Sequence, residues 1–171
     1  LAGCGLDKDK GILMAAGSYG DLAVVVSDPQ LRPIVERFLD RFVAEKTFVI
    51  KTEPDFQADI FMPDDWDLAK GYKNALFVTR LGDDTEAEKA VRRMVSDESR
   101  ARLQNSGGGI VQINDPWSTY QLLVIVASPD RNSLGSILMR SSDHLKTIFT
   151  RSNRDRLQRR HRYDGLQTDL M

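Results

Sequence analysis

The sequence predicts an α+β fold: a mixed or antiparallel sheet with helices packed on one face, in ferredoxin-like βαββ units. Three observations carry that prediction. Short apolar runs rich in β-branched residues recur at Asp21–Ser27 (DLAVVVS), Ala75–Leu81 (ALFVTRL) and Tyr120–Ala127 (YQLLVIVA), each read as a buried strand. Between them, Leu31, Ile34, Val35, Phe38, Leu39, Phe42 and Val43 follow helical spacing, with Arg32, Glu36, Arg37, Asp40 and Arg41 on the other face. Finally, the order strand, helix, strand, strand occurs over Asp21–Met62 and again over Ala75–Ala127, followed by a last helix. The paired strands in each half have no helix between them, which favours antiparallel neighbours over a doubly wound parallel sheet.

The elements follow in order. Gly17-Ser18-Tyr19-Gly20 is a turn into the first strand, and Asp28-Pro29 caps the first helix, with Pro33 confined to its first turn. Thr47–Lys51 and Phe56–Met62 are strands, and Pro63 ends the second. Asp64-Asp65-Trp66-Asp67-Leu68-Ala69-Lys70 makes one or two helical turns. After the Ala75–Leu81 strand, Gly82-Asp83-Asp84-Thr85 turns into a second helix, where Thr85 and Glu88 have capping-box spacing. That helix breaks near Ser96-Asp97 and restarts through Leu103. Gly107-Gly108-Gly109 closes it, Ile110–Ile113 is a strand, and Asp115-Pro116 turns the chain into Tyr120–Ala127. Ser128-Pro129-Asp130 opens a long helix whose buried side is Leu134, Ile137, Leu138, Leu145, Ile148 and Phe149. The domain division is 1–18 as tether, 19–165 as a single α+β domain and 166–171 as tail.

Composition excludes several classes. The 171 residues are 41% hydrophobic and 29% charged, as in a globular rather than a disordered chain. Net charge is -1, so the whole molecule has no electrostatic pull toward nucleic acid. Apolar runs such as Leu122–Ala127 fall far short of the roughly 20 residues of a membrane-spanning helix. A single cysteine, Cys4, forbids an intrachain disulfide and a zinc site of several thiolates.

Leu1-Ala2-Gly3-Cys4 has the form of a lipobox: an apolar residue, two small residues, then cysteine. Small residues let an extended backbone enter a peptidase site, and the thiol takes a diacylglycerol. Several acyl chains on one residue give a stable anchor, at about 0.8 kcal/mol per buried CH₂. The following Gly5-Leu6-Asp7-Lys8-Asp9-Lys10 is polar, as a tether is.

With the lipobox, the Asp21-Leu22-Ala23-Val24-Val25-Val26 strand and the Asp115-Pro116-Trp117-Ser118-Thr119-Tyr120-Gln121-Leu122 segment together, the chain resembles an uncharacterised family of bacterial lipoproteins, a domain of unknown function. Members have a lipobox, a Gly/Ser turn into an apolar strand, then a Trp just before a Gln-containing apolar strand and a long helix. The resemblance covers most of the chain through short motifs. It implies anchoring and location, and brings no catalytic residue with it.

No catalytic, cofactor-binding or metal-ligating residue is assigned. The histidines His144 and His161 both fall in the C-terminal helical region, and no Gly-x-Ser-x-Gly elbow accompanies them. Asp64, Asp65 and Asp67, and Asp83 with Asp84, lack the spacing of a calcium loop and read as caps and turns. The triple glycine precedes a strand, the wrong side for a phosphate cradle. Trp66, Trp117, Arg156, Arg159 and Arg160 are the candidate interaction surface, the tryptophans as exposed aromatic anchors and the arginines as a basic, membrane-facing patch.

The expectation is therefore a cell-envelope lipoprotein without a cofactor, held to a membrane through lipid on Cys4, facing the periplasm or the outside. It binds an envelope protein partner or takes part in assembly; nucleic acid is a disfavoured partner. Two alternatives stand beside it. One is an envelope hydrolase whose catalytic carboxylates are dispersed in sequence. The other is an RNA-binding α+β domain using the Arg-rich C-terminus.

Overall fold

The computed structural model describes residues 22–44 and 58–149. They form an α+β structure around a mixed five-stranded sheet: β1 (Leu22–Val26), β2 (Ala58–Phe61), β3 (Asn74–Arg80), β4 (Gly109–Asn114) and β5 (Leu122–Ser128), in spatial order β2-β1-β3-β5-β4. The helices are α1 (Arg32–Ala44), α2 (Glu86–Met94), α3 (Asp97–Asn105) and α4 (Arg131–Arg140). A turn at Ser141 leads into a further helical stretch, α5, over 142–149. Two 3-10 segments, Pro29–Leu31 and Pro63–Gly71, precede α1 and β3. The expected strand Thr47–Lys51, the tether and tail, Cys4, His161 and Arg156, Arg159 and Arg160 lie outside the described residues.

The mixed sheet agrees with the sequence; its pairing and its coverage differ in detail. The strands β1, β2, β3 and β5 run parallel, Leu22 opposite Ala58 and Asn74, and Asn74 opposite Leu122. Only β4 is antiparallel, joined to β5 as a hairpin with Ile110 opposite Val126. Helices cover both faces rather than one, so the ferredoxin-like arrangement is corrected. The reason is visible along the strands. Leu22, Val24 and Val26 point into one core with Leu31, Val35, Phe38, Leu134 and Leu138. Ala23 and Val25 point into a second core with Ala69, Ala87, Val91 and Leu103. A strand apolar at every position must be covered on both sides, the habit of parallel strands. Each fully buried Val, Leu or Ile contributes about 1.5–3 kcal/mol, so a one-faced arrangement would forfeit half of that in β1, β3 and β5.

Local chemistry fixes the element ends. Asp28 caps the first 3-10 turn by accepting from Gln30 N–H at 2.9 Å, with Pro29 in its first turn. Thr85 caps α2, Ser96 caps α3 and Asp130 caps α4 through side-chain oxygens. The break expected at Ser96 is thus a complete cap, and α2 and α3 are separate helices. Within the triple glycine, Gly108 has φ +127°, and a Cβ there would lie 2.8 Å from Ala127 O, Ser128 Cβ and Ile137 Cδ1. Glycine is required where β4 enters the sheet beside α4.

Candidate functional site

In an open α/β sheet, ligands favour the carboxyl ends of parallel strands where the strand order reverses. Here β1 sits between β2 and β3, so the reversal lies between β1 and β3. The segments leaving that edge are Ser27-Asp28 after β1, Leu81–Thr85 after β3, and Pro129-Asp130 after β5.

The crevice directly above β1 and β3 is filled by the protein's own hydrogen bonds. Ser27, fully buried, donates its hydroxyl to Asp83 Oδ2 at 2.6 Å and accepts from Arg80 N–H at 2.8 Å. Asp83 Oδ1 takes the Arg80 guanidinium at 2.5 Å. Thr85 donates to the Ser27 carbonyl at 2.6 Å while its hydroxyl accepts from Glu88 N–H. These contacts weld the two loops together. Arg131 on α4 closes the far side, 3.2 Å from Asp28 Oδ2.

The open space lies beside this plug. A cleft of about 380 Å³ runs between the β3–α2 loop, α2 and α3, lined by Leu81, Gly82, Glu88, Arg92, Arg100 and Ala101 among others. Glu88 sits at its wall with 2% exposure. Its Oε1 accepts from Gly82 N–H at 3.4 Å, and its Oε2 is ion-paired with the Arg92 guanidinium at 2.6 Å. Arg92 also donates to Asp84 at 2.9 Å, and Arg100 is paired with Asp97 one turn away. The hydrogen bond from Arg92 holds the Asp84 carboxyl below its ordinary range, helped by the charges of Lys89 and Arg92. The same hydrogen bond raises Arg92.

Carboxylates dispersed in sequence (Asp28, Asp83, Asp84, Glu88 and Asp130) are thus gathered at one end of the sheet. Each has a partner: Asp28 has Arg131, Asp83 has Ser27 and Arg80, Asp84 and Glu88 share Arg92, and Asp130 accepts from Ser133 at 3.0 Å. Among the described residues no group of three or more His, Cys, Asp or Glu is placed to hold a metal ion. No helix there is long and apolar enough to cross a membrane.

The two tryptophans lie on the second face of the sheet, each half-buried against its core. Trp117 packs on Phe77 with ring centroids 6.1 Å apart. Trp66 has Lys70 Nζ 4.9 Å and the Arg93 guanidinium 5.9 Å from its ring centre. Both segments are pinned by Gln121, which is 6% exposed. Its Oε1 accepts from Trp117 N–H at 3.2 Å and Ser118 N–H at 2.7 Å, and its Nε2 donates to Lys70 O at 2.6 Å and Tyr72 O at 3.1 Å. The larger exposed apolar groups nearby in sequence are Leu68 and Tyr120, the latter at φ +67°. His144 is on the exposed side of α5.

Sequence reasoning recognised Thr85 with Glu88 as a cap and Asp83 with Asp84 as a turn, but not the cleft. Arg92 and Arg100 were available as the basic residues four after Glu88 and three after Asp97. What brings them to one cleft is the sharp bend between α2 and α3, which sequence spacing does not reveal. No protein-family model matches the chain, and no curated protein matches it either.

Proposed function

We propose that this domain is the folded part of a cell-envelope lipoprotein, tethered to a membrane through lipid on Cys4, and that it works as a binding module whose site is the cleft between the β3–α2 loop, α2 and α3. The tether rests on the Leu1-Ala2-Gly3-Cys4 pattern at the sole cysteine. The binding role rests on one observation: beside the filled crevice at the carboxyl ends of β1 and β3, a 380 Å³ cleft is walled by two arginines and a buried glutamate. The Ser27–Asp83–Arg80 hydrogen bonds behind it supply a rigid backing, as recognition requires.

Binding fits this edge better than hydrolysis. The Asp84 carboxyl is held low by its hydrogen bond from Arg92, the opposite of what a general acid needs. The remaining carboxylates are engaged with arginines or hydroxyls rather than held apart in pairs.

The tether is tested by expressing the full precursor as wild type and as Cys4→Ser and separating membrane from soluble fractions. The wild type is expected with membranes and the variant in the soluble fraction. Equal membrane retention of both removes the anchor from the account.

A further inference from the structure

We propose that the open edge of β4 pairs with the same edge of a second copy of this chain, antiparallel about a two-fold axis, so that one sheet runs through both. β4 ends the spatial order β2-β1-β3-β5-β4, and among the described residues no strand lies beyond it. Its inner side is occupied. Asp115 N–H bonds the Gln121 carbonyl at 2.8 Å, and the β4–β5 register runs unbroken from Asn114 to Gly109. Alternation along an antiparallel ladder then turns the N–H and C=O of Gly109, Val111 and Ile113 toward β5, and those of Ile110, Gln112 and Asn114 outward.

Edge strands are ordinarily guarded by a charge, a proline or a bulge, because unpaired backbone groups are a template for another strand. β4 (GIVQIN) has no charged residue and no proline, and its unbroken register leaves no bulge. The opposite edge differs: β2 carries exposed Asp59 in mid-strand and stops just before Met62-Pro63. Both faces of β4 also carry half-buried apolar side chains, Ile110 on the first core and Val111 with Ile113 on the second, which a further strand would cover.

Charge and spacing select the occupant. A two-fold sets β4 against β4, so any charge near the axis would face its own sign, and the strand holds none. With Gln112 at the axis, Gln112 faces the second copy's Gln112 and Ile110 faces its Asn114. Each outward residue then exchanges both backbone bonds with its counterpart. The same register sets Val111 against Ile113 on the other face, a β-branched pair at the closer, non-hydrogen-bonded spacing. A sheet edge kept for a foreign segment has no reason to match itself in this way. Because the β2 edge is guarded, assembly closes at two copies instead of growing into a fibre.

The test is sedimentation equilibrium of the full chain from about 5 to about 300 µM, beside Gln112→Lys and Gln112→Glu. Gln112 is exposed, so both variants are expected to keep the wild-type far-UV circular dichroism. The wild type is expected to rise with concentration to twice the chain mass. Each variant alone places like charges together and is expected to associate at least about tenfold more weakly. An equimolar mixture of the two places opposite charges together and is expected to recover the dimer. In the wild type, amide exchange followed by NMR is expected to slow with concentration at Gln112 and Asn114 and to stay constant at Val111 and Ile113, which already bond β5. A wild type that stays monomeric at about 300 µM overturns the proposal, and is what an edge kept for another protein's extended segment would give. A dimer that both variants leave intact, a mixture that does not recover it, unchanged exchange at Gln112 and Asn114, or species growing past two copies would each overturn it as well.

Discussion

Gln121 is the side chain that ties the two tryptophan-bearing segments to the end of the sheet, and replacing it separates its two roles. Its amide makes four hydrogen bonds, two accepted from the Trp117–Ser118 backbone and two donated to the carbonyls of Lys70 and Tyr72. At about 1 kcal/mol net for each, the set contributes about 4 kcal/mol. Ser118 and Lys70 are exposed residues whose freed backbone groups regain water, so Gln121→Leu is expected to cost about 2–3 kcal/mol. With a urea slope of about 1–3 kcal/mol/M, that lowers the unfolding midpoint by about 0.7–3 M. Gln121→Glu keeps both acceptors but turns a carboxylate oxygen toward two carbonyls. The folded state then disfavours the charged form, and the new carboxyl's folded pKa rises above its unfolded value of about 4.3. The sign follows: this variant is most stable below about pH 4.3, where the protonated group can donate, and loses stability as pH climbs from there through the raised folded value. Tryptophan fluorescence and far-UV circular dichroism in urea, at pH 4 and pH 7, read both effects. If Gln121→Leu stays within about 0.5 kcal/mol of wild type, or the penalty of Gln121→Glu does not grow with pH, the four-bond account is wrong.

Three further outcomes follow from the same geometry. Gly108→Ala puts a Cβ 2.8 Å from a backbone carbonyl at φ +127° and is expected to cost about 2–5 kcal/mol in urea unfolding, whereas Gly71→Ala, with nothing within 4 Å, is expected to leave the midpoint unchanged. Ser27→Ala removes the hydroxyl that links Asp83 to the Arg80 backbone and is expected to cost about 1–3 kcal/mol; a change within noise would show that the two loops are held by other contacts. The Asp84–Arg92 pair lowers the folded pKa of Asp84 below 3.8, so what it contributes is present above that pH and lost as pH falls through the folded value. Asp84→Asn is therefore expected to be slightly less stable than wild type at pH 7, to converge with it at low pH, and so to flatten the acid limb of the stability curve, as measured by thermal unfolding across pH.

Strand positions were legible because burial wrote them into single runs. Leu22–Val26 and Leu122–Ser128 are apolar along nearly their whole length, and the runs DLAVVVS and YQLLVIVA locate them within two residues. The same continuity also carried the evidence for two-sided coverage. The absence of a helix between Ile110–Ile113 and Tyr120–Ala127 did signal a hairpin, β4 with β5. The first strand of the other such pair, Thr47–Lys51, lies outside the described residues; β2 pairs parallel with β1, and the nine-residue 3-10 segment Pro63–Gly71, with Trp66 and Ala69 packed inward on the second face, leads from it to a parallel β3 on the other side of β1. Trp66 and Trp117 were legible as notable residues, but a half-buried Trp117 on Phe77 and a Trp66 under two cations are recognised only in three dimensions. The cleft was hidden for a related reason. Glu88 looks like a cap and Arg100 like a helix-surface cation, and it takes the Ser96 break to turn α3 so that both line one wall.

The proposed binding domain held at an envelope membrane by Cys4 is tested by the intact mass of the protein purified from the membrane fraction of its own cells. The expected species is a mature chain beginning at Cys4, heavier than its amino acids by a diacylglyceryl group, with or without a further acyl chain on the new amino terminus. A membrane-fraction protein with an unmodified Cys4 thiol, still preceded by Leu1-Ala2-Gly3, would contradict it.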